Sequence, residues 1–162
     1  MFKGITEFMK ESIKKGFSFG LASGVITTLG LIIGLYSGTQ SAAVIISGIL
    51  VIAIADATSD ALGIHISEES KEGHSEREVW ESTIFTFLSK FFFAMTFIIP
   101  FLFFQLLTAV VVCVVWGLGL IATLSYGMAK RRGTKPHSVI FEHIIIAVAV
   151  ILATYYIGGL AA

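Results

Sequence analysis

Two aspartates one helical turn apart, Asp56 and Asp60, stand inside the apolar run that ends in ADATSDALGIHISEES, residues 55–70. A four-residue separation stacks their carboxylates on one face of a helix. Each ionised aspartate at the centre of a membrane helix costs roughly 2.5–3.5 kcal/mol on the insertion scale, so the pair is expected to face a bundle interior or a wet cavity. Small residues, Ala53 and Gly48, continue the same side of the helix, although Ile49 and Ile52 interrupt them. Counted along an antiparallel neighbour at 1.5 Å per residue, Ser23 falls at the depth of Asp60 and Thr27 near Asp56. Carboxylate and hydroxyl oxygens at one level suit a hard cation, so Asp56, Asp60, Ser23 and Thr27 form the first candidate site. The alternative is that the aspartates pair with Lys90 or cap a neighbouring helix.

A second candidate follows at once. HISEESKEGHSEREVWES holds Glu68, Glu69, Glu72, Glu76, Glu78 and Glu81 together with His65 and His74. Glu68, Glu72 and Glu76 keep i, i+4 spacing and Glu69 joins their face, so a helix continuing out of the span would present several oxygen ligands together. A solvated charged loop is the competing expectation. Isolated histidines such as these are seldom ligands, and Glu142 and His143 are expected near the membrane interface.

The elements that must position these groups are membrane helices. Of the 162 residues 56% are hydrophobic and 14% charged, and the mean hydropathy is +0.90; such a chain belongs in a bilayer. About 20 apolar residues cross the hydrocarbon, which divides the sequence into five spans near 17–36, 41–63, 83–104, 106–129 and 138–161. The division between the third and fourth rests on Pro100 and Gln105, because a single helix there would be roughly 70 Å long. Residues 1–16 read as an amphipathic helix on the membrane surface. The expected architecture is therefore all-α: an interfacial helix 1–16, a five-span domain 17–162, and an acidic cytoplasmic loop 64–82.

Basic residues fix the orientation. Lys3, Lys10, Lys14 and Lys15 precede the first span, Lys71 and Arg77 follow the second, and Lys130, Arg131, Arg132 and Lys135 follow the fourth. Five spans place all of them on one side, which the positive-inside rule makes cytoplasmic, N-terminus included. Lys90 is the exception. It stands about 13 Å along a helix from Glu81, a distance from which its side chain is expected to snorkel to the inner interface.

Lysine plus arginine and aspartate plus glutamate balance at 11 each, which gives no reason to expect a nucleic-acid partner. Cys113 is the single cysteine, so neither an internal disulfide nor a cysteine metal site is available. No nucleophile–base arrangement, phosphate loop or cofactor fingerprint is present, so no enzymatic activity and no cofactor are expected. Gly20, Ser23, Thr27, Gly30 and Gly34 alternate spacings of three and four, which makes a seam for close helix packing.

The chain resembles the vacuolar iron transporter family over almost its whole length. SGVITTLGLIIGL in the first span is similar to the family's aspartate-glycine stretch with two threonines, and ADATSDALGIHISEES to a segment with a methionine and, four residues on, a glutamate. SKFFFAMTFIIPFLFF resembles the third span with its proline, and ATYYIGGL the end of the fifth. Position by position, the family's aspartate falls on Ser23, its methionine on Asp56 and its glutamate on Asp60. Loss of the thioether favours manganese over iron. The family's cytoplasmic metal-binding insertion would survive here only as the remnant Glu68 to Glu81.

The resemblance implies export of Fe²⁺ or Mn²⁺ from the cytosol in exchange for protons, by a homodimer whose ion path is lined by the first two spans. As a multi-pass membrane protein, in the cytoplasmic membrane if the source is prokaryotic, the chain would have divalent ions and lipid as its partners. Two other classes stay open: a non-transporting metal sensor or assembly partner with an acidic interaction loop, and a transporter of another substrate.

Overall fold

The structure is a computed structural model and describes residues 10–161. Within them the chain forms α1 (Glu11–Thr39), α2 (Ala42–Glu69), α3 (Glu76–Thr96), a short α4 (Ile99–Phe103), α5 (Leu106–Arg132) and α6 (Pro136–Leu160). There are no strands among the described residues. Five helical stretches are long and apolar enough to cross a membrane, the third running from Glu76 to Phe103 through a local break. This is the expected all-α, five-span pattern of a multi-pass membrane protein.

Local chemistry explains where the helices start and stop. Pro100 has no N–H to give the carbonyl of Thr96 and its ring crowds that carbonyl, so α3 ends at Thr96 and a turn intervenes before α4. The chain leaves helix again at Phe104 and Gln105, and this makes the hairpin to α5. Ser75 restarts helix after the 70–75 connection by a capping box with Glu78. Gly133, in the left-handed region at φ 65°, closes α5 behind Lys130, Arg131 and Arg132, whose charges suit a helix C-terminus.

Residues 1–9 of the expected interfacial helix lie outside the described residues. Glu11 to Gly16 continue directly into the first span as one 29-residue helix. The expected loop 64–82 is shorter as well. Helix α2 runs on to Glu69 and α3 begins at Glu76, which leaves 70–75 as the connection.

Helix α1 is the centre of the bundle. It packs most extensively against α3, then against α6, with α2 and α5 completing its surroundings. Glycines decide both main contacts. A Cβ on Gly16 would strike the Ser82 backbone, one on Gly20 the Thr86 backbone and the Ser89 hydroxyl, and one on Gly24 would stand 3.0 Å from Lys90 Cγ. Gly16, Gly20 and Gly24 thus form a four-residue ladder onto which α3 settles at close range. Farther along, Gly30 faces Val150 and Thr154, and Gly38 approaches the Gly158 carbonyl. Glycines of the expected seam are therefore used inside one chain, Gly20 against α3 and Gly30 and Gly34 against α6.

Helix α3 shows the solvent this architecture is made for. Its inward residues include Ser82, Thr86, Ser89 and Lys90, whereas Trp80, Ile84, Leu88 and Phe92 recur every fourth residue on the exposed side. Polar inside and apolar outside is the reverse of a water-soluble helix. The inward hydroxyls of Ser82, Thr86 and Ser89 each bond a carbonyl one turn back, so they satisfy themselves without water.

Candidate functional site

Lys90 is 1% exposed and stands where α1, α2 and α3 meet. Its ammonium lies 2.5 Å from Oδ2 of Asp56 and 2.5 Å from Oδ2 of Asp60. It also donates to Ser23 Oγ at 3.0 Å, while Ser23 donates its own proton to Asp60 Oδ2 at 2.5 Å. The ammonium is thus surrounded by three oxygens, one from α1 and two from α2, and donates aligned hydrogen bonds to two of them, Ser23 Oγ and Asp60 Oδ2. Gly24 makes the room, since any side chain there would press on the Lys90 stem.

The snorkelling expected for Lys90 is not what the structure shows. A lysine turned toward the interface would leave two carboxylates unpaired inside the bundle; turned inward, it makes ionic contact with both. Its own distance from the interface mattered less than the proximity of α2. The depth match of Ser23 with Asp60 is realised as a hydrogen bond, but Thr27 donates instead to the Ser23 carbonyl of its own helix. Thr27 makes no contact with either aspartate among the hydrogen bonds described, and Ser23 reaches Asp60 alone.

The two aspartates are not equivalent. Asp60 accepts aligned hydrogen bonds from Lys90 and Ser23. Asp56 Oδ2 is close to the ammonium but lies out of hydrogen-bond alignment, so that buried oxygen has ionic contact and no aligned donor. The Asp56 side chain remains 29% exposed, and since Oδ2 is buried the accessible part lies elsewhere on it. With Lys90 ionised, two carboxylates and one ammonium leave the cluster one negative charge in excess. Asp56 lies 13 residues before the end of the 28-residue α2, about 20 Å from that end and close to its middle.

The acidic segment is disposed differently from its sequence spacing. Glu68 is buried, with Oε2 at 2.7 Å from Lys15 and 3.2 Å from His74 and Oε1 at 2.5 Å from Lys71. It ties the ends of α1 and α2 together, and its hydrogen bond raises the Lys71 ammonium above the usual lysine range. Glu69, Glu72 and Glu76 are exposed. Because α2 ends at Glu69 and Gly73 turns the chain at φ 84°, the i, i+4 face of Glu68, Glu72 and Glu76 does not form. Among the described residues no cluster of three or more His, Cys, Asp or Glu side chains is placed to hold a metal ion. At the same end of the bundle Glu81 accepts from Lys10 at 3.0 Å and from Arg77 at 2.9 Å.

The histidines are engaged locally. His65 Nδ1 lies 3.0 Å from Thr83 Oγ1, whose single proton is given to the Val79 carbonyl, and the ring packs edge-on against Trp80. His143 Nδ1 lies 2.7 Å from the buried Ser125 hydroxyl, which likewise donates within its own helix. Glu142 is exposed.

For Lys90 the first sequence expectation is the interface, with pairing to the aspartates as the alternative, and the pairing is what the structure shows. A signal was present in KKGFSFGLASG, where Gly16, Gly20 and Gly24 recur every four residues, and in Ser82 and Thr86 with the same spacing on α3. Pairing those ladders places α3 directly against α1 and brings Lys90 to Ser23. No protein-family model matches the chain, and no curated protein matches it.

Proposed function

We propose that the chain is a multi-pass membrane transporter of cations, with Asp56 and Asp60 as the carrier site and Lys90 as the internal cation that holds the site when cargo is absent. The observation that carries this reading is the charged cluster near the middle of the bundle, where two carboxylates outnumber one ammonium. Charge in a membrane interior is costly to keep and marks ion pathways by default. One further positive charge, as a cargo ion or as a proton, neutralises the cluster, and competition between the two is the physical basis of exchange.

Ser23 contributes by orienting Asp60. The bases gathered at the starts of α1 and α3 and the end of α5 favour a cytoplasmic position for that end by the positive-inside rule, and export from the cytosol is the direction that the family resemblance implies. Mn²⁺ and Fe²⁺, the cargo that the family resemblance implies, would have to displace Lys90. Two oxygens from each carboxylate and one from Ser23 supply five ligands, and water or a backbone carbonyl would complete an octahedral set.

The test is flux in proteoliposomes holding a pH-sensitive dye, with Mn²⁺ as the first cargo and Na⁺ and K⁺ in parallel. Wild type should couple cation entry to proton exit. Asp60→Asn should abolish coupled movement while the protein still folds. Absence of coupled flux for every cation, inorganic or organic, in well-folded wild type would make the cluster a structural tie between three helices.

A further inference from the structure

We infer that the cargo taken at Asp56 is a monovalent organic cation with an apolar body, which reaches the carboxylate sideways from the lipid; this rests on the transporter reading above. A groove of about 530 Å³ runs along α1 and α2 and ends at Asp56. Leu31, Leu35, Val44, Val51, Ile52 and Ala55 form its walls, and Asp56 is the one ionisable residue in its lining. Gly48 keeps it open, since a Cβ there would come within 2.7 Å of Leu35 Cδ1.

Three observations converge on this cargo. The volume lies within the range of sites that enclose small organic molecules. The walls offer a hydrated inorganic ion only the Ser47 hydroxyl in place of its water, so shedding that water is uncompensated along the groove. An apolar body instead gains by leaving water for these leucines and valines. Finally, the charge complements one cationic centre: with Lys90 in place the cluster carries one excess negative charge, and a divalent ion would overshoot it. Asp60 accepts aligned hydrogen bonds from Lys90 and Ser23, whereas Asp56, the more exposed of the two side chains at 29% against 22%, has a buried oxygen without an aligned donor. The groove and the carboxylate with the buried, unaligned oxygen therefore coincide at one residue.

The probe is radiolabelled tetraphenylphosphonium, a permanently charged apolar cation, bound to the full chain in nanodiscs, with excess unlabelled probe defining the background. Saturable binding is expected, and the anion tetraphenylborate should not compete for it. Asp56→Asn should weaken binding about thirtyfold or more, the loss that follows when one partner of a desolvated charge pair is removed. Ala55→Phe fills the groove from an exposed position and should weaken binding at an unchanged melting temperature. Leu152→Phe, on the exposed side of α6, should bind as wild type.

No saturable binding, or binding indifferent to both Asp56→Asn and Ala55→Phe, overturns the inference. So does efficient disulfide cross-linking of Ala55→Cys between two chains in nanodiscs, which would show a second copy covering the groove. Proton-coupled Mn²⁺ flux that needs Asp60, found without phosphonium binding, overturns the organic cargo and leaves the transporter reading standing. Saturable, Asp56-dependent phosphonium binding supports the inference even where Mn²⁺ does not move.

Discussion

Replacing Lys90 by Met keeps an unbranched side chain of similar length in the space above Gly24 and removes only the ammonium. That ammonium has three oxygen neighbours at 2.5, 2.5 and 3.0 Å and a side chain 2% exposed. Its loss leaves Asp56 and Asp60 facing each other one turn apart with no cation between them. Removing one partner of a buried ion pair costs about 3–5 kcal/mol, and the lower end applies here because the aspartate side chains are 29% and 22% exposed. Adding Asp60→Asn to Lys90→Met returns the cluster to a single negative charge and lets Ser23 bond a neutral amide. The double variant should therefore be less destabilised than the sum of the two single variants by about 1–3 kcal/mol, the coupling expected of side chains in direct contact. Reversible unfolding of the four proteins in mixed micelles measures this cycle. Lys90→Met unfolding within about 0.5 kcal/mol of wild type, or a coupling indistinguishable from zero, would refute the buried three-helix cluster.

The α1–α3 contact makes a second prediction: Gly20→Leu should destabilise by about 1–3 kcal/mol or more, because its side chain meets the Thr86 backbone and the Ser89 hydroxyl. Gly63→Leu, with nothing within 4 Å, should stay within about 0.5 kcal/mol of wild type in the same unfolding assay. Topology is tested by an impermeant thiol reagent on intact cells. Thr39→Cys should be labelled from outside and Glu72→Cys only after the cytoplasmic face is opened, while Cys113 is buried and stays silent; the reverse pattern would invert the orientation.

Sequence alone determined the features that depend on composition and on repeats within one segment. Five apolar stretches of spanning length, the bases at one end, and Asp56 and Asp60 on one face of α2 all follow from local rules of length and periodicity. The hairpin break was legible for the same reason, since a proline acts on its own helix.

Tertiary structure decided what those groups touch. Whether Lys90 reaches an interface or a carboxylate depends on how closely α3 approaches α1 and at which register. That distance is set by Gly16 meeting Ser82, Gly20 meeting Thr86 and Ser89, and Gly24 meeting Lys90, all more than sixty residues away. The acidic segment went the other way. Its Glu68, Glu72 and Glu76 spacing describes a helical face only while the helix continues, and the chain leaves helix after Glu69. Glu68 is then drawn to Lys15 of α1, a partner no spacing within its own segment could reveal. The physical division is between interactions carried by one helix, which repeat in the sequence, and those between helices, where the size of a facing residue sets the approach and thereby the pairing of charges.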